Sequence, residues 1–293
     1  MQKTRSSSRR EFLAVTSTVL AATVPSLAAE EPTIGQVIER IIGQCAGKPL
    51  AQTVDTLKTG DPSWKVKGIS TTFMATREVI EKTVQRGFNF IITHEPTFWN
   101  HTDDTSWLAQ NPVYLSKRRL AEDNKIAIWR CHDYWHTLKP DPVVAGLAKA
   151  LGWEKYMDPE GRGICTIPPA SLQELAAHFK EKLGLQAVPA VGRKDLACRR
   201  VALIVGASPG RPQINLLSRP DIDALVVGDI NEWEGCEFAR DAVQAGMGKG
   251  FLVLGHAPSE DPGMKYLAEW LSPQLPGVPI VHIPANSPFH FFL

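Results

Sequence analysis

The chain has 293 residues, of which 43% are hydrophobic and 22% charged, an ordinary globular composition. It is long enough for one large α/β domain or two small ones. A formal net charge of +1 leaves no basic surplus of the kind that marks a nucleic-acid binder.

The N-terminal segment reads as an address rather than as part of the fold. A basic start precedes an apolar stretch from Phe12 to Val24, and small residues surround Ala28. The stretch is too short for a membrane span. Ser8-Arg9-Arg10-Glu11-Phe12-Leu13 resembles the twin-arginine motif. The expectation is a cleaved signal over residues 1–28 and a mature domain over 29–293. The protein is then exported, periplasmic or extracellular, and free of the membrane once the signal is removed. Cleavage takes away four bases and one acid, so the mature charge is −2. Five cysteines are scattered with no C-x-x-C pattern, which fits neither a disulfide framework nor a zinc finger.

The mature chain alternates helices and strands, with no repeat and no low-complexity linker. TIGQVIERIIGQC has apolar residues at helical spacing. VKGISTTFM reads as a strand and TREVIEKTVQRG as an amphipathic helix. Strand FNFIIT, helix NPVYLSKRRLAEDN, strand IAIWRC and helix PVVAGLAKALG follow. The second half gives helix SLQELAAHFKEKLG, strands VALIVG and ALVVGD, and helix WEGCEFARDAVQAG. Strand FLVLG, helix MKYLAEWL and strand VPIVHIP complete the chain. Pro140, Pro142 and the pair Pro168-Pro169 read as hinge points. The pattern predicts an α/β fold with largely parallel, doubly covered strands.

Polar chemistry gathers at three strand tips. His94 and Glu95 follow FNFIIT. His132, Asp133 and His136 follow IAIWRC. His256 and Glu260 follow FLVLG. Four of the eight histidines therefore sit in three segments beyond strand ends, where open α/β sheets build their sites. Imidazole with carboxylate is the ligand set of zinc, manganese or iron. HDYWH looks like the H-E-x-x-H of zinc peptidases with Asp for Glu, but that motif needs a long helix, and prolines follow closely here. GASPG reads either as an anion-binding nest or as a turn. GMGKG lacks P-loop spacing. His101 is an outer-ligand candidate that more simply faces solvent; His178 sits in an amphipathic helix, and His282 and His290 have no partners in sequence. Trp99 and Trp135 are expected to cover the core.

These segments, in order, resemble the Nif-three-like dinuclear metal centre family, whose members are often called GTP cyclohydrolase I type 2 homologues. Family members carry I-I-T-H-H-P where this chain has I-I-T-H-E-P, and H-x-x-x-D where it has His132-x-x-x-His136. They end in G-H-x-x-S-E, matched here by G-H-A-P-S-E. RVALIVGASPG and the VVGD strand end at Asp229 also have counterparts. The resemblance runs from about residue 33 to 293. It implies a two-lobed α/β subunit with mixed, largely parallel sheets flanked by helices, a homohexamer, and two divalent cations per subunit. The implied ligands are His94, Glu95, His136, His256 and Glu260, with His132 close by. Glu95 stands for a family histidine and His136 for a family aspartate, so ligand types have exchanged loops. The expected function is a metal-dependent hydrolase of unknown small-molecule substrate, with phosphoesters and cyclic amidine or amide bonds as classes. Glu95, Glu260 and Asp133 are its candidate catalytic residues, and Asp133 or Asp229 would orient water or an imidazole. The alternative is a non-catalytic metal-binding or metal-handling oligomer.

Overall fold

The computed structural model describes residues 31–292, so the expected export signal lies outside the described residues. Among them, no helix is long and apolar enough to cross a membrane. In chain order the elements are α1 (Ile34–Cys45), β1 (Leu57–Thr59), β2 (Ile69–Thr72), α2 (Arg77–Gln85) and β3 (Phe90–Thr93). Next come α3 (Pro112–Asp123), β4 (Ala127–Arg130), the single turn α4 (Asp133–His136) and α5 (Pro142–Leu151). Then follow β5 (Ile164–Ser171), α6 (Leu172–Leu183), β6 (Ala190–Val191), β7 (Ala197–Ile204) and α7 (Gly210–Leu217). The last are β8 (Ala224–Val227), α8 (Glu237–Gln244), β9 (Gly250–Val253), α9 (His256–Leu271) and β10 (Ile280–His282).

Two five-stranded sheets result, ordered β1-β4-β3-β2-β10 and β5-β7-β8-β9-β6. In the first, β4, β3, β2 and β10 are parallel and only the edge strand β1 is antiparallel. In the second, β7, β8 and β9 are parallel, with β5 and β6 antiparallel at the edges. The second sheet is an insertion: the chain leaves the first sheet after β4 and returns to it with β10. Largely parallel central strands are what the sequence pattern predicts, and the antiparallel edges make the sheets mixed, as the resemblance implies.

The short strands alternate between two cores, as the period of two requires. Phe90, Ile92 and Trp129 face α1 and α9, whereas Ile91 and Ile128 face α2 and α3. In the second sheet, Ala224 and Val226 face α5 and α6, and Leu225 and Val227 lie on the side of α7 and α8. Each sheet is covered on both faces, which is why its strands read as continuous apolar runs. Helix α1 begins at a capping box in which Thr33 and Gln36 bond each other's backbone N–H.

Four expectations change. Pro168-Pro169 is no hinge; it lies within β5, an edge strand whose ladder to β7 is interrupted between Thr166 and Ala170, where proline removes no needed bond. Pro142 is no hinge either, but the first residue of α5, capped by Asp141. The last helix starts at His256, about two turns before MKYLAEWL, because Pro258 falls in the first turn, where its missing N–H costs nothing. Pro262 remains inside that helix. Helix α7 and the two- and three-residue strands β6 and β1 carry too little periodicity to be read from sequence.

Helices α5 and α9 join the two halves at a pair of glycines. A methyl group at position 146 would lie 2.6 Å from Gly263 Cα, and one at position 263 would lie 2.7 Å from Val143 Cα. Both obstacles are backbone, so neither side can yield. By contrast, Gly43 in α1 has open space around its missing side chain. Gly263→Val is therefore expected to destabilise the fold by about 1–3 kcal/mol or more. Gly43→Ala is expected to stabilise it by about 0.5–1 kcal/mol. Urea-denaturation midpoints of the two variants check both signs.

Candidate metal centre

Residues that follow β3, β4, β7 and β9 line one cleft of about 520 Å³, and its walls include Glu95, His132, His136, His256 and Glu260. Strand β3 ends at Thr93, and the next residue, His94, is fully buried at the cleft floor. His132 and His136 stand one helical turn apart, on the N-cap and last residue of α4. His256 and Glu260 have the same i,i+4 relation on the first turns of α9, which brings them onto one face. Two helical turns, rather than two loops, thus supply four of the six candidates.

All four imidazoles are oriented alike. Nδ1 of His94 faces the carbonyl of Cys131 at 3.3 Å. Nδ1 of His132 pairs with Asp133 Oδ1 at 3.0 Å, and Nδ1 of His136 with Asp141 Oδ2 at 2.8 Å. Nδ1 of His256 pairs with Asp229 Oδ2 at 2.9 Å. An Nδ1–H donated to oxygen fixes the tautomer and leaves Nε2 as the ligand atom. The Nε2 of His94 is buried with no hydrogen-bond partner, 3.5 Å from Glu260 Oε2. A lone pair facing a carboxylate across that gap is unfavourable unless a cation lies between them. Glu260 Oε2 is also 3.1 Å from His256 Nε2, and Glu95 Oε1 is 3.5 Å from the same atom and 3.7 Å from His132 Nε2. Donor atoms of His94, His132 and His136 lie within 4.8 Å of one another, as do those of His94, Glu95 and Glu260. The donor set therefore fits one or more divalent cations.

Charge in the cleft follows burial first. Burial holds His94 well below the ordinary imidazole range, and the neighbouring His132 and His136 push it further. Burial also lowers His132, against the pull of Asp133. His136 is raised: burial opposes its charge, but Asp141 outweighs it. Burial raises the Glu260 carboxyl, and the charge of Glu95 adds to this despite the attraction of His256. Glu95 is lowered; burial opposes that, but His256, His132 and Arg130 prevail. For His256, burial is overcome by Asp229, Glu260 and Glu95, and its pKa is pushed up to about 12.

Several supports were invisible in the sequence. Asp55, 77 residues before His132, accepts the backbone N–H groups of His132 and Tyr134 at 2.8 Å and so anchors α4. Asp141 was legible as a helix cap but not as the partner of His136. A side chain at position 206 would collide with Glu260 Oε1, its Cβ only 1.8 Å away; only glycine, at φ +64°, fits there. GASPG is a turn and not an open nest, since Gly206 N–H donates to Ser259 and Gly210 N–H to Glu234. Asp133 has its other oxygen on Thr53 and the Val54 N–H, so it sits behind His132 rather than in the cleft. His101 lines the cleft mouth, its ring 5.9 Å from that of His132. His282 does have a partner, Asp261 at 2.9 Å, and His178 stacks on Trp153. Trp135 is buried as expected, whereas Trp99 is 43% exposed, with its ring edge-on to buried Phe98 at 6.3 Å and Lys117 over its face. All five thiols are free.

The sequence profile of Duf34/NIF3 (NGG1p interacting factor 3) matches residues 33–288. The chain belongs to the DUF34/NIF3 family. It is 27% identical over 226 residues to the GTP cyclohydrolase 1 type 2 homolog of Escherichia coli (strain K12), spanning 71% of this chain and 80% of that protein. The Clostridium perfringens (strain 13 / Type A) homolog of the same name is 25% identical over 250 residues, spanning 80% and 90%. Among solved structures, a Bacillus cereus protein related to NIF3 superposes with a TM-score of 0.70 at 18% identity, covering 90% of this chain and all of that one. Staphylococcus aureus protein SA1388 gives 0.69 at 19% identity, with the same coverage. These likenesses show that the fold is the family's own.

Without a cation, Arg130 and the proton on His256 together balance Glu95 and Glu260; that proton sits where a metal would bind. A metal taking Nε2 must displace it, so binding strengthens as pH rises. Zinc binding at pH 7 is expected to release at least one proton from the metal-free protein. Calorimetry in buffers of differing ionisation enthalpy measures this, and Asp229→Asn is expected to reduce the number released.

Proposed function

We propose that this chain is a metal-dependent hydrolase. The observation that carries the reading is the buried, unpartnered Nε2 of His94, which converges with three other Nδ1-tethered imidazoles and two carboxylates on an accessible cleft. Bound divalent cations supply Lewis acidity and a water pKa lowered toward neutrality. Six residues would hold them: His94, Glu95, His132, His136, His256 and Glu260.

The chain's own residues do the rest. Glu95 and Glu260 are the two carboxylates that face the imidazole Nε2 atoms, Glu95 through Oε1 and Glu260 through Oε2, and they would supply the negative charge that holds the cations. Asp133 and Asp229 orient imidazoles through Nδ1 and fix which nitrogen faces the cleft. His101, Ser208 and Val144 line the outer cleft, where a small substrate would rest. Phosphoesters and cyclic amidine or amide bonds are the substrate classes proposed. The name carried by the curated relatives, GTP cyclohydrolase 1 type 2 homolog, is consistent with the second class.

Metal analysis combined with a substrate panel separates this from metal handling without catalysis. The purified protein is expected to carry at least one divalent ion per chain and to hydrolyse one of the two classes. Chelation should abolish turnover and zinc or manganese should restore it. Glu260→Gln should lower metal occupancy and turnover by about tenfold to a hundredfold or more, because a neutral amide replaces a charged ligand. Bound metal with no turnover on either class would favour the handling reading; no metal would remove both.

A further inference from the structure

Arg130 is the last residue of β4 and is fully buried. A guanidinium stays charged at any working pH, so burial demands a counter-charge and acceptors for its fork of donors. It finds them all in the segment that follows β3. Nε donates to the carbonyl of His94 at 3.0 Å, and Nη1 donates to the carbonyl of His101. Nη2 lies 3.4 Å from Glu95 Oε2. The opposite oxygen, Oε1, is the one that faces His132 and His256. The carboxylate is divided: one oxygen turns back to the guanidinium, the other forward to the imidazoles.

We propose that Arg130 is a positioning residue of the metal centre, which restricts Glu95 to a single donor oxygen, Oε1. The inference rests on the metal-centre reading above. It excludes Glu95 as a bridge between two cations through both oxygens, and leaves any such bridge to Glu260. It also accounts for arginine at this position. Three acceptors at separate angles around one buried head group suit a planar fork, and a lysine ammonium on a single stem cannot hold them in the same geometry. Through the His101 carbonyl, the same residue ties the cleft mouth to the cleft floor.

A crystal structure of the zinc-loaded wild-type protein tests the assignment. The expected result is Glu95 Oε1 alone on zinc, with Oε2 still on Arg130. Glu95 chelating or bridging through both oxygens would overturn the inference while leaving the metal centre standing; zinc absent from the cleft would overturn both. A second measurement separates positioning from simple structural support. In cobalt(II)-loaded Arg130→Met, release of Oε2 raises the coordination number, so the visible ligand-field bands should lose intensity relative to wild type. In a Glu95→Gln background the same Arg130→Met change should leave the bands unaltered. An equal loss in both backgrounds, or no loss with cobalt bound, would contradict the proposal.

Discussion

The Nδ1–H bonds made by four imidazoles govern everything else in the cleft. An imidazole free to rotate or change tautomer offers either nitrogen; one tied through Nδ1 to a carboxylate or carbonyl offers only Nε2. Here the ties come from four places: the Cys131 carbonyl, Asp133, Asp141 and Asp229. Each acceptor belongs to a backbone segment already fixed for other reasons. Asp141 caps α5, Asp133 is held by Thr53 and the Val54 N–H, and Asp229 closes β8. The donor set is therefore preorganised by the scaffold rather than assembled by the ligand, which lowers the reorganisation cost of binding.

This arrangement depends on bringing two separately built sheets together at their carboxyl ends. His94 and His132 come from the first sheet, Asp229 from the second, and His256 and Glu260 from the helix that returns the chain from second to first. The glycine contact between α5 and α9 sets how closely the halves approach. Gly206 serves the same end at atomic scale, making room for a carboxylate that no side chain could share. Burying Glu95 and Glu260 together is unfavourable by several kcal/mol unless positive charge accompanies them. Arg130 and protonated His256 supply that charge in the protein alone, and cations would supply it in the loaded form.

Much of this was legible in the sequence. The parallel strands were clear because double coverage makes them uninterrupted apolar runs, as in FNFIIT and VALIVG. The six candidate ligands were clear because they fall directly after such runs. What stayed hidden was long-range or too short to have a period. Asp55 reaches α4 from 77 residues away, and nothing local distinguishes it from a surface aspartate. Arg130 reads as a strand end with a charged terminus until the structure shows it inside, beneath Glu95. HAPSE gave no helix signal because Pro258 masks the helix start, and only the helix puts His256 and Glu260 on one face. Trp99 lies at the rim of the small Phe98 cluster and is half-exposed, which sequence position alone does not reveal.

If the Nδ1 tethers hold, four Nε2 atoms and no Nδ1 atom face the cation site. Nitrogen NMR of the protein labelled with ¹⁵N in its histidine rings reads this directly during titration with zinc. The Nε2 signals of His94, His132, His136 and His256 are expected to shift on binding while their Nδ1 atoms remain protonated. Zinc coordinated through Nδ1 at any of the four, or no response of the His94 ring, would contradict that assignment.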